Sequence, residues 1–343
     1  MLNLAQTKRS DFLTYSQVIG LATMSPDRGF FFPADTAVGK DGRLYTVNRS
    51  FDLNRVAVRG TMYNLDSEYF GSFGSFGEGD GQFISPTAVS VDGAGQVYIS
   101  DERLHRITVF NPEGEFLASW GVHGDRPGEL DGPSGLVFDS KDNLYVVDQH
   151  NHRVQKFTSD GRFLITWGEE GSGEGQFNMP WGITLDSDGN IYVADWRNDR
   201  IQKFTAEGKF LAVFGEHGEA DGQLNHPSSV AVDSEGYVYV ADWGNERVQV
   251  FDPEGGFVMK LRGSAGLSKW AEDFLRANVD EADGRAKANL EPEVGQFGGD
   301  PHEESSHIEK YFWAPVSVKL DDDGRLYVTE SNRHRVQVYE RGS

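Results

Sequence analysis

Three side chains that could transfer protons follow a short motif that recurs along the chain. Glu102 and Arg103 come directly after Asp101, and His150 comes two residues after Asp148. A histidine beside a carboxylate or a guanidinium can act in general acid–base catalysis near neutral pH. If the protein is an enzyme, we therefore expect His150, Glu102 and Arg103 to be its catalytic residues.

Charged residues that recur at a constant interval indicate structure rather than chemistry. One aspartate and one arginine repeat with a period of 47 residues. The members of the two series are Asp101, Asp148, Asp195, Asp242, Arg106, Arg153, Arg200 and Arg247. One copy per repeat suits a turn, in which the carboxylate binds backbone amides and the arginine pairs with a carboxylate. We therefore interpret both series as structural.

A period of this length indicates an array of one supersecondary unit. In the copy at residues 178–224, four short segments alternate apolar and polar residues, and turn sequences such as Asp188-Gly189 separate them. This pattern predicts a four-stranded antiparallel meander. One meander cannot bury both of its faces, so the copies must stack, and closure into a ring removes exposed edge strands.

Six copies are counted from the proline that precedes each first strand, which predicts an all-β, six-bladed β-propeller over residues 1–343. The prolines are Pro33, Pro86, Pro133, Pro180, Pro227 and Pro315. The sixth copy ends at Tyr339 without a fourth strand, whereas a strand-like run at residues 15–20 has no place in the first copy. We expect this run, within an N-terminal segment of residues 1–29, to complete blade 6.

The motif around the repeated aspartate resembles the NHL repeat. The matching segments are Asp148-Gln-His-Asn-His-Arg153, Asp195-Trp-Arg-Asn-Asp-Arg200 and Asp242-Trp-Gly-Asn-Glu-Arg247. The resemblance covers about residues 30–343 and implies a six-bladed propeller. It does not imply one activity, because NHL propellers include lyases, RNA-binding domains and protein-binding domains.

Propellers similar to the peptide-amidating lyases hold zinc with histidines just after the blade proline. None of the corresponding residues here is a histidine: they are Ala34, Thr87, Ser134, Trp181, Ser228 and Val316. A zinc site would therefore need His150, His226, His302 and His307 to converge. His302 and His307 are five residues apart, which is not the i, i+4 spacing of a zinc-binding helix. The sequence identifies no cofactor and leaves zinc and calcium open.

Tryptophan is distributed unevenly over the repeats, and function is best sought where one copy departs from the others. Five of the seven tryptophans fall on same-face loops of blades 4 to 6 or in an insertion there. Aromatic side chains in one sector suggest an apolar recess, with a polar, partly cationic wall opposite. We expect a small amphipathic or acidic ligand there, bound by Arg49, Trp181, Trp196, Arg197, Trp243 and Trp313.

The largest departure from the repeat is an insertion at residues 264–311, between blades 5 and 6. Residues 268–278 have apolar residues at 270, 271, 274 and 275, which predicts an amphipathic helix capped by Ser268. The insertion joins an outermost strand to the next innermost strand, a connection that lies on the face where the central channel opens. We expect a lid over the channel mouth; the alternative is plain packing of the insertion against the propeller.

Two functions fit these features. The leading hypothesis is a small-molecule site at the lidded channel mouth, in a lyase or hydrolase if the protein is an enzyme. The alternative is a non-enzymatic scaffold that binds a partner protein through residues 264–311.

Composition narrows the remaining classes of function. With 54 acidic and 32 basic residues the net charge is −22, which disfavours binding to nucleic acid. The absence of cysteine excludes disulfides and thiolate metal sites. No run approaches the length of a membrane span, and residues 1–20 lack the apolar core of a signal peptide. We expect a soluble cytoplasmic protein that does not bind membranes.

Overall fold

The computed structural model describes residues 12–25, 27–50, 55–293 and 299–342, and these form a six-bladed β-propeller. Each blade is a four-stranded antiparallel sheet, and one additional two-stranded parallel ladder, β6–β7, joins blades 1 and 2. The strands in chain order are β1 (Leu13–Ile19), β2 (Pro33–Val38), β3 (Arg43–Asn48), β4 (Arg59–Asn64), β5 (Tyr69–Phe73), β6 (Ser75–Phe76), β7 (Gln82–Phe83), β8 (Pro86–Val91), β9 (Val97–Asp101), β10 (Arg106–Phe110), β11 (Phe116–Trp120), β12 (Pro133–Phe138), β13 (Asn143–Asp148), β14 (Arg153–Thr158), β15 (Phe163–Trp167), β16 (Pro180–Leu185), β17 (Ile191–Asp195), β18 (Arg200–Phe204), β19 (Phe210–Phe214), β20 (Pro227–Val232), β21 (Val238–Asp242), β22 (Arg247–Phe251), β23 (Phe257–Leu261), β24 (Pro315–Leu320), β25 (Leu326–Glu330) and β26 (Arg335–Arg341).

Blades 1 to 5 are β2–β5, β8–β11, β12–β15, β16–β19 and β20–β23, each with its first strand innermost. The core lies between the blades, in clusters that combine apolar residues of adjacent sheets. Each second strand contributes one buried tyrosine to these clusters, because alternation along the strand turns every other side chain toward the neighbouring blade. The tyrosines are Tyr45, Tyr98, Tyr145, Tyr192, Tyr239 and Tyr327.

The repeated aspartate organises the turn between the second and third strands of a blade. Asp195 is fully buried, and its Oδ1 accepts a 2.7 Å hydrogen bond from the backbone amide of Asn178. Its Oδ2 accepts a 2.9 Å bond from Arg200 Nε, so the buried charge is paired. Corresponding pairs are Asp148–Arg153, Asp242–Arg247 and Glu330–Arg335.

The ring closes through strands from the two ends of the described chain. β1 pairs antiparallel with β26, from Leu13 opposite Arg341 to Ile19 opposite Val336. Blade 6 is thus β24–β25–β26 with β1 as its outermost strand, in the place that the sequence predicts for residues 15–20. The third strand of blade 1 starts at Arg59, and a short 3₁₀ turn that begins at Arg55 precedes it.

The insertion contains three helices: α1 (Lys269–Ala277), α2 (Val279–Lys287) and α3 (Pro301–His307). Ser268 caps α1, as predicted, since its Oγ accepts a 3.0 Å bond from the amide of Ala271. Residues 294–298 of the insertion lie outside the described residues. Within the described ranges, no helix is both long enough and apolar enough to cross a membrane.

α1 packs at the outer edge of the ring, at the junction of blades 6 and 1. Trp270 is fully buried there against Phe30 and Tyr63. Ser268 Oγ donates to the backbone oxygen of Gly20, at the end of β1, and Lys269 Nζ to that of Asp66. α1 therefore ties the closing strand to blade 1.

Candidate functional site

The face of the ring on which the inner strands begin carries a cavity of about 490 Å³. Four of the predicted ligand-binding residues line it: Arg49, Trp181, Trp196 and Trp243. Smaller side chains from the same face also line it, among them Ala34, Ser85, Ser228, Val316, Ser331 and Asn332. A cavity of this volume is typical of a site for a small molecule.

The aromatic wall of the cavity comes from blades 4 and 5. Trp196 and Trp243 are the first residues of 3₁₀ turns that follow the buried Asp195 and Asp242. Because the repeat places both turns on one face, the two rings lie 6.4 Å apart between centroids, with planes inclined by 51°. Trp181 follows the blade proline in β16. The ring of Trp243 is 38% exposed, so a ligand can cover it.

The polar wall contains a paired guanidinium. Arg49 Nη2 donates to Glu102 Oε2 at 2.9 Å and to Ser85 Oγ at 2.5 Å. Both charged side chains are about one-third exposed, at 31% for Arg49 and 29% for Glu102. Arginine has five N–H donors, so Arg49 can also bind an anion that enters the cavity. In this geometry Glu102 is the partner of Arg49 and not a free general base.

The inner strands close the channel beneath the cavity, where a space of only about 20 Å³ remains. Two glycines permit this close approach. A Cβ on Gly135 would lie 2.6 Å from the backbone oxygen of Trp181, and one on Gly182 would lie 2.7 Å from that of Ser228. An ion pair between Asp35 and Lys319, at 3.3 Å, lies in the same space. The inner strands therefore pack closely beneath the cavity, which we call the cup-shaped cavity.

Two further residues of the cavity wall are held in place by side chains of the preceding blade. Phe32 and Ala314 line the cavity just before a blade proline, with φ of 45° and 55°. The amide of Phe32 donates to His334 Nδ1 at 2.9 Å, and the amide of Ala314 donates to Glu246 Oε2 at 2.6 Å. Each bond crosses from one blade to the next, so it fixes the rim of the cavity.

The predicted residues Trp313, Arg197 and Arg103 are near this face but do not line the cavity. Trp313 packs against His302, with ring centroids 6.0 Å apart, and beneath the guanidinium of Arg333. Arg197 is exposed beside Trp196, with 5.6 Å between its Cζ and the ring centroid. Arg103 is exposed as well.

The four histidines considered as metal ligands do not converge. The ring of His226 meets the ring of Trp196 edge-on at 4.6 Å. His302 Nδ1 donates to the buried Glu246 at 2.6 Å, and His307 lies on α3 beside Ser306. Their loops belong to different blades or to the insertion, so a site built from these four is not formed.

His150 belongs to a different group, at the junction of blades 2 and 3. Its Nδ1 lies 3.1 Å from Asp131 Oδ1, and His105 and His123 surround the same carboxylate. None of these four residues lines the cavity. The predicted catalytic set is therefore divided: Glu102 contacts Arg49 at the cavity, whereas His150 lies in the histidine cluster.

The described part of the insertion flanks the cavity and does not cover it. α1 packs at the outer edge of the ring, and α3 is attached beside the rim through His302 and Glu246. No described residue of 264–311 lines the cavity. The expected lid is thus not formed by α1, because the buried aromatic side chain of that helix, Trp270, packs between blades 6 and 1.

Sequence reasoning missed several residues of this face. Phe32, Ser50, Ser85 and Ala314 line the cavity, and His105, His123 and Asp131 form the cluster with His150. A signal for Phe32 and Ala314 was present, because both directly precede a blade proline. His105 is 47 residues before His152, one period of the repeat, so its position indicated a structural role and not a site.

Comparison with known proteins agrees with this architecture. The NHL repeat family matches residues 130–157, 177–204, 224–251 and 312–339, which lie in blades 3 to 6. Fold and repeat together define the class: the protein is a β-propeller with a cup-shaped cavity on one face. The chain is a six-bladed β-propeller that contains NHL repeats in four of its blades. Among curated proteins, no sequence matches.

Solved structures with the same fold are distant in sequence. A Streptogramin B lyase structure has a TM-score of 0.58 at 12% identity, covering 96% of this chain and 98% of the other. A catalytically inactive virginiamycin B lyase from Staphylococcus aureus, with quinupristin, has a TM-score of 0.57 at 13% identity, covering 94% of this chain and 99% of the other. A protein of unknown function from Bacteroides thetaiotaomicron has a TM-score of 0.64 at 16% identity, covering 96% of this chain and 76% of the other. At these identities the likeness concerns the fold alone.

Proposed function

We propose that this propeller binds a small molecule with a planar apolar body and an anionic group in the cup-shaped cavity. The observation that carries the proposal is the placement of Trp181, Trp196 and Trp243 on one wall and Arg49 on another wall of one 490 Å³ cavity. Aromatic faces bind flat apolar groups, and a guanidinium binds a carboxylate or phosphate. The site departs from the six-fold repeat, so blade structure alone does not require it.

We propose that the cavity binds a ligand, and we assign no reaction to it. A lyase or hydrolase mechanism would need an acid or base at the ligand. His150 and Arg103 do not line the cavity, and Glu102 is held by Arg49.

The test uses 2-naphthoate as a probe, with neutral 2-naphthamide as its uncharged match. We expect the wild-type protein to bind 2-naphthoate more tightly than 2-naphthamide. Tryptophan fluorescence and thermal shift measure both affinities. Trp243→Ala and Arg49→Gln should each weaken naphthoate binding at least tenfold, and Arg49→Gln should abolish the preference over the amide. Glu102→Gln should strengthen naphthoate binding, because it removes the carboxylate that competes for Arg49.

Arg103→Gln is the matched control, since Arg103 is an exposed arginine on the same face that does not line the cavity. Equal weakening by Arg103→Gln and Arg49→Gln would show a general charge effect and contradict the proposed site. Binding of neither probe, or binding that Trp243→Ala leaves unchanged, would contradict it as well.

A second candidate function, a protein-binding scaffold, is favoured by an exposed apolar surface on the insertion. Leu267, Phe274 and Val279 are 39%, 42% and 66% exposed. Leu267 and Val279 line a groove of about 430 Å³ between α1 and α2. Exposed apolar patches often mark protein interfaces. In a scaffold, Val279→Asp should abolish binding of the partner while Trp243→Ala leaves it intact, the reverse of the pattern expected for the cavity.

A further inference from the structure

Three histidines and one aspartate meet at the junction of blades 2 and 3. His105 ends the turn between β9 and β10, His123 follows β11, Asp131 precedes β12, and His150 lies in the 3₁₀ turn after β13. Their side chains are partly accessible, with exposures of 24% for His105, 64% for His123, 31% for Asp131 and 38% for His150. The group is thus open to an ion from solvent.

One carboxylate oxygen lies close to all three imidazoles. Asp131 Oδ1 is 3.1 Å from His150 Nδ1, 3.3 Å from His105 Nδ1 and 3.6 Å from His123 Nε2. Ligand atoms around a tetrahedral zinc, each about 2.0–2.1 Å from the ion, are about 3.3 Å from one another. Ligand atoms of His105, His123 and Asp131 also lie within 4.8 Å of one another. His105, His123 and Asp131 are therefore close enough to bind one metal ion, and His150 lies beside the same carboxylate oxygen.

The repeat supplies an internal comparison, because the same four positions recur 94 residues later. There the residues are Asp199, His217, Asn225 and Gly244. Asp199 and His217 form an ion pair, with 2.8 Å between Oδ2 and Nδ1, and His226 Nδ1 lies 3.9 Å from the other carboxylate oxygen of Asp199. The junction of blades 4 and 5 thus has two histidines at one aspartate, whereas the junction of blades 2 and 3 has three histidines around one carboxylate oxygen.

We propose that His105, His123, Asp131 and His150 bind one divalent transition-metal ion of the zinc type. Imidazole and carboxylate ligands suit zinc, whereas magnesium and calcium prefer oxygen ligands alone. The net charge of −22 favours accumulation of cations near the surface. None of the four residues lines the cavity, so this site is independent of the proposed small-molecule site.

His105 has a competing role in the blade turn. Its Nδ1 accepts a 3.1 Å bond from the amide of Gly132, as His152 does from Met179. Coordination through this nitrogen replaces the hydrogen bond. His105→Asn separates the two roles, since its side-chain oxygen can keep the amide bond, as the carboxylate of Asp199 does for the amide of His226 at 2.6 Å.

Titration of the untagged protein with zinc chloride, by calorimetry, tests the site. The wild type should bind one equivalent with micromolar or tighter affinity, and zinc should raise its thermal midpoint. His123→Ala and Asp131→Asn should each weaken binding at least tenfold, and His105→Asn should do so without lowering the metal-free midpoint. His123 is exposed, so its loss should not prevent folding.

His217→Ala is the matched control, because it removes the corresponding histidine from the junction of blades 4 and 5, where two histidines and not three lie beside one aspartate. It should leave zinc affinity unchanged. A wild-type protein without saturable zinc binding would overturn the proposal. So would His123→Ala and Asp131→Asn variants with wild-type affinity, or an equal loss in His217→Ala, which would indicate adventitious binding to surface histidines.

Discussion

The indole Nε1 of Trp270 donates a 2.7 Å hydrogen bond to the backbone oxygen of Ser67, which joins the insertion to blade 1. In two other blades an outer strand ends in a tryptophan, Trp120 or Trp167, whose ring covers the next blade. Each packs within about 3 Å of the place where a Cβ would lie on a turn glycine of that blade, Gly161 or Gly208. In blade 1 the turn position that corresponds to Gly161 and Gly208 is occupied by Ser67.

Blade 6 lacks such a tryptophan on its outer strand, because β1 reaches Ile19 at this register. Trp270 supplies the missing ring from the insertion. It packs on Tyr63 at 5.7 Å between centroids, as Trp120 packs on Phe157 at 5.0 Å. The insertion therefore completes the last interface of the ring, in addition to the pairing of β1 with β26.

Replacing Trp270 should destabilise the ring. Trp270→Ala removes a fully buried ring and should cost about 3–5 kcal/mol of unfolding free energy. Trp270→Phe should cost less, since it loses mainly the bond to Ser67. Urea unfolding followed by circular dichroism measures both. Phe274→Ala, on the exposed side of α1, is the control and should change stability by no more than about 0.5 kcal/mol; similar midpoints for Trp270→Ala and Phe274→Ala would refute this role.

Glu246 should make stability depend on pH. Burial raises its pKa from 4.5 to about 7, although the hydrogen bonds from His302 and from the Ala314 amide act to lower it. The folded state then holds this proton more tightly than the unfolded state, so its stabilising contribution is present below pH 4.5 and is lost as pH rises through about 7. Each unit of separation between the two pKa values corresponds to about 1.4 kcal/mol.

Glu246→Gln removes this titration while keeping an acceptor for the Ala314 amide. We expect its thermal midpoint to match the wild type near pH 5 and to exceed it at pH 8. The measurement is a series of melting curves across this range, with Glu303→Gln, an exposed change on α3, as the control. Parallel wild-type and Glu246→Gln curves at all pH values would contradict the assignment.

Asp195 should matter for the blade and not for a ligand directly. Its Oδ2 accepts bonds from Arg200, Asn198 and Gln202. Asp195→Asn leaves the arginine without its charge partner in a buried turn, which should cost about 3–5 kcal/mol. Chemical denaturation measures the loss. Asp188→Asn, in an exposed turn of the same blade, should be nearly neutral; if the two variants unfold at the same midpoint, the buried pair does not stabilise the turn.

The six-bladed ring follows from the repeat in the sequence. A fixed period of 47 residues and alternating strands specify identical blades, and the missing fourth strand of the last copy calls for a strand from the N-terminal side. The residues that break the repeat also indicated the cavity. Trp196 and Trp243 occupy the same position of the repeat, and that position lies on one face of the ring in every blade. These inferences need only local periodicity and the symmetry of the array.

Tertiary structure decided which of those residues meet. Arg49 is tied to Glu102 from the next blade, and Asp131 gathers histidines from three separate loops. Such contacts depend on side-chain direction across blade junctions, which periodicity does not specify. The course of the insertion depends on such a contact as well: Trp270 is fully buried between blades 6 and 1, and this burial of apolar surface stabilises α1 at the edge of the ring.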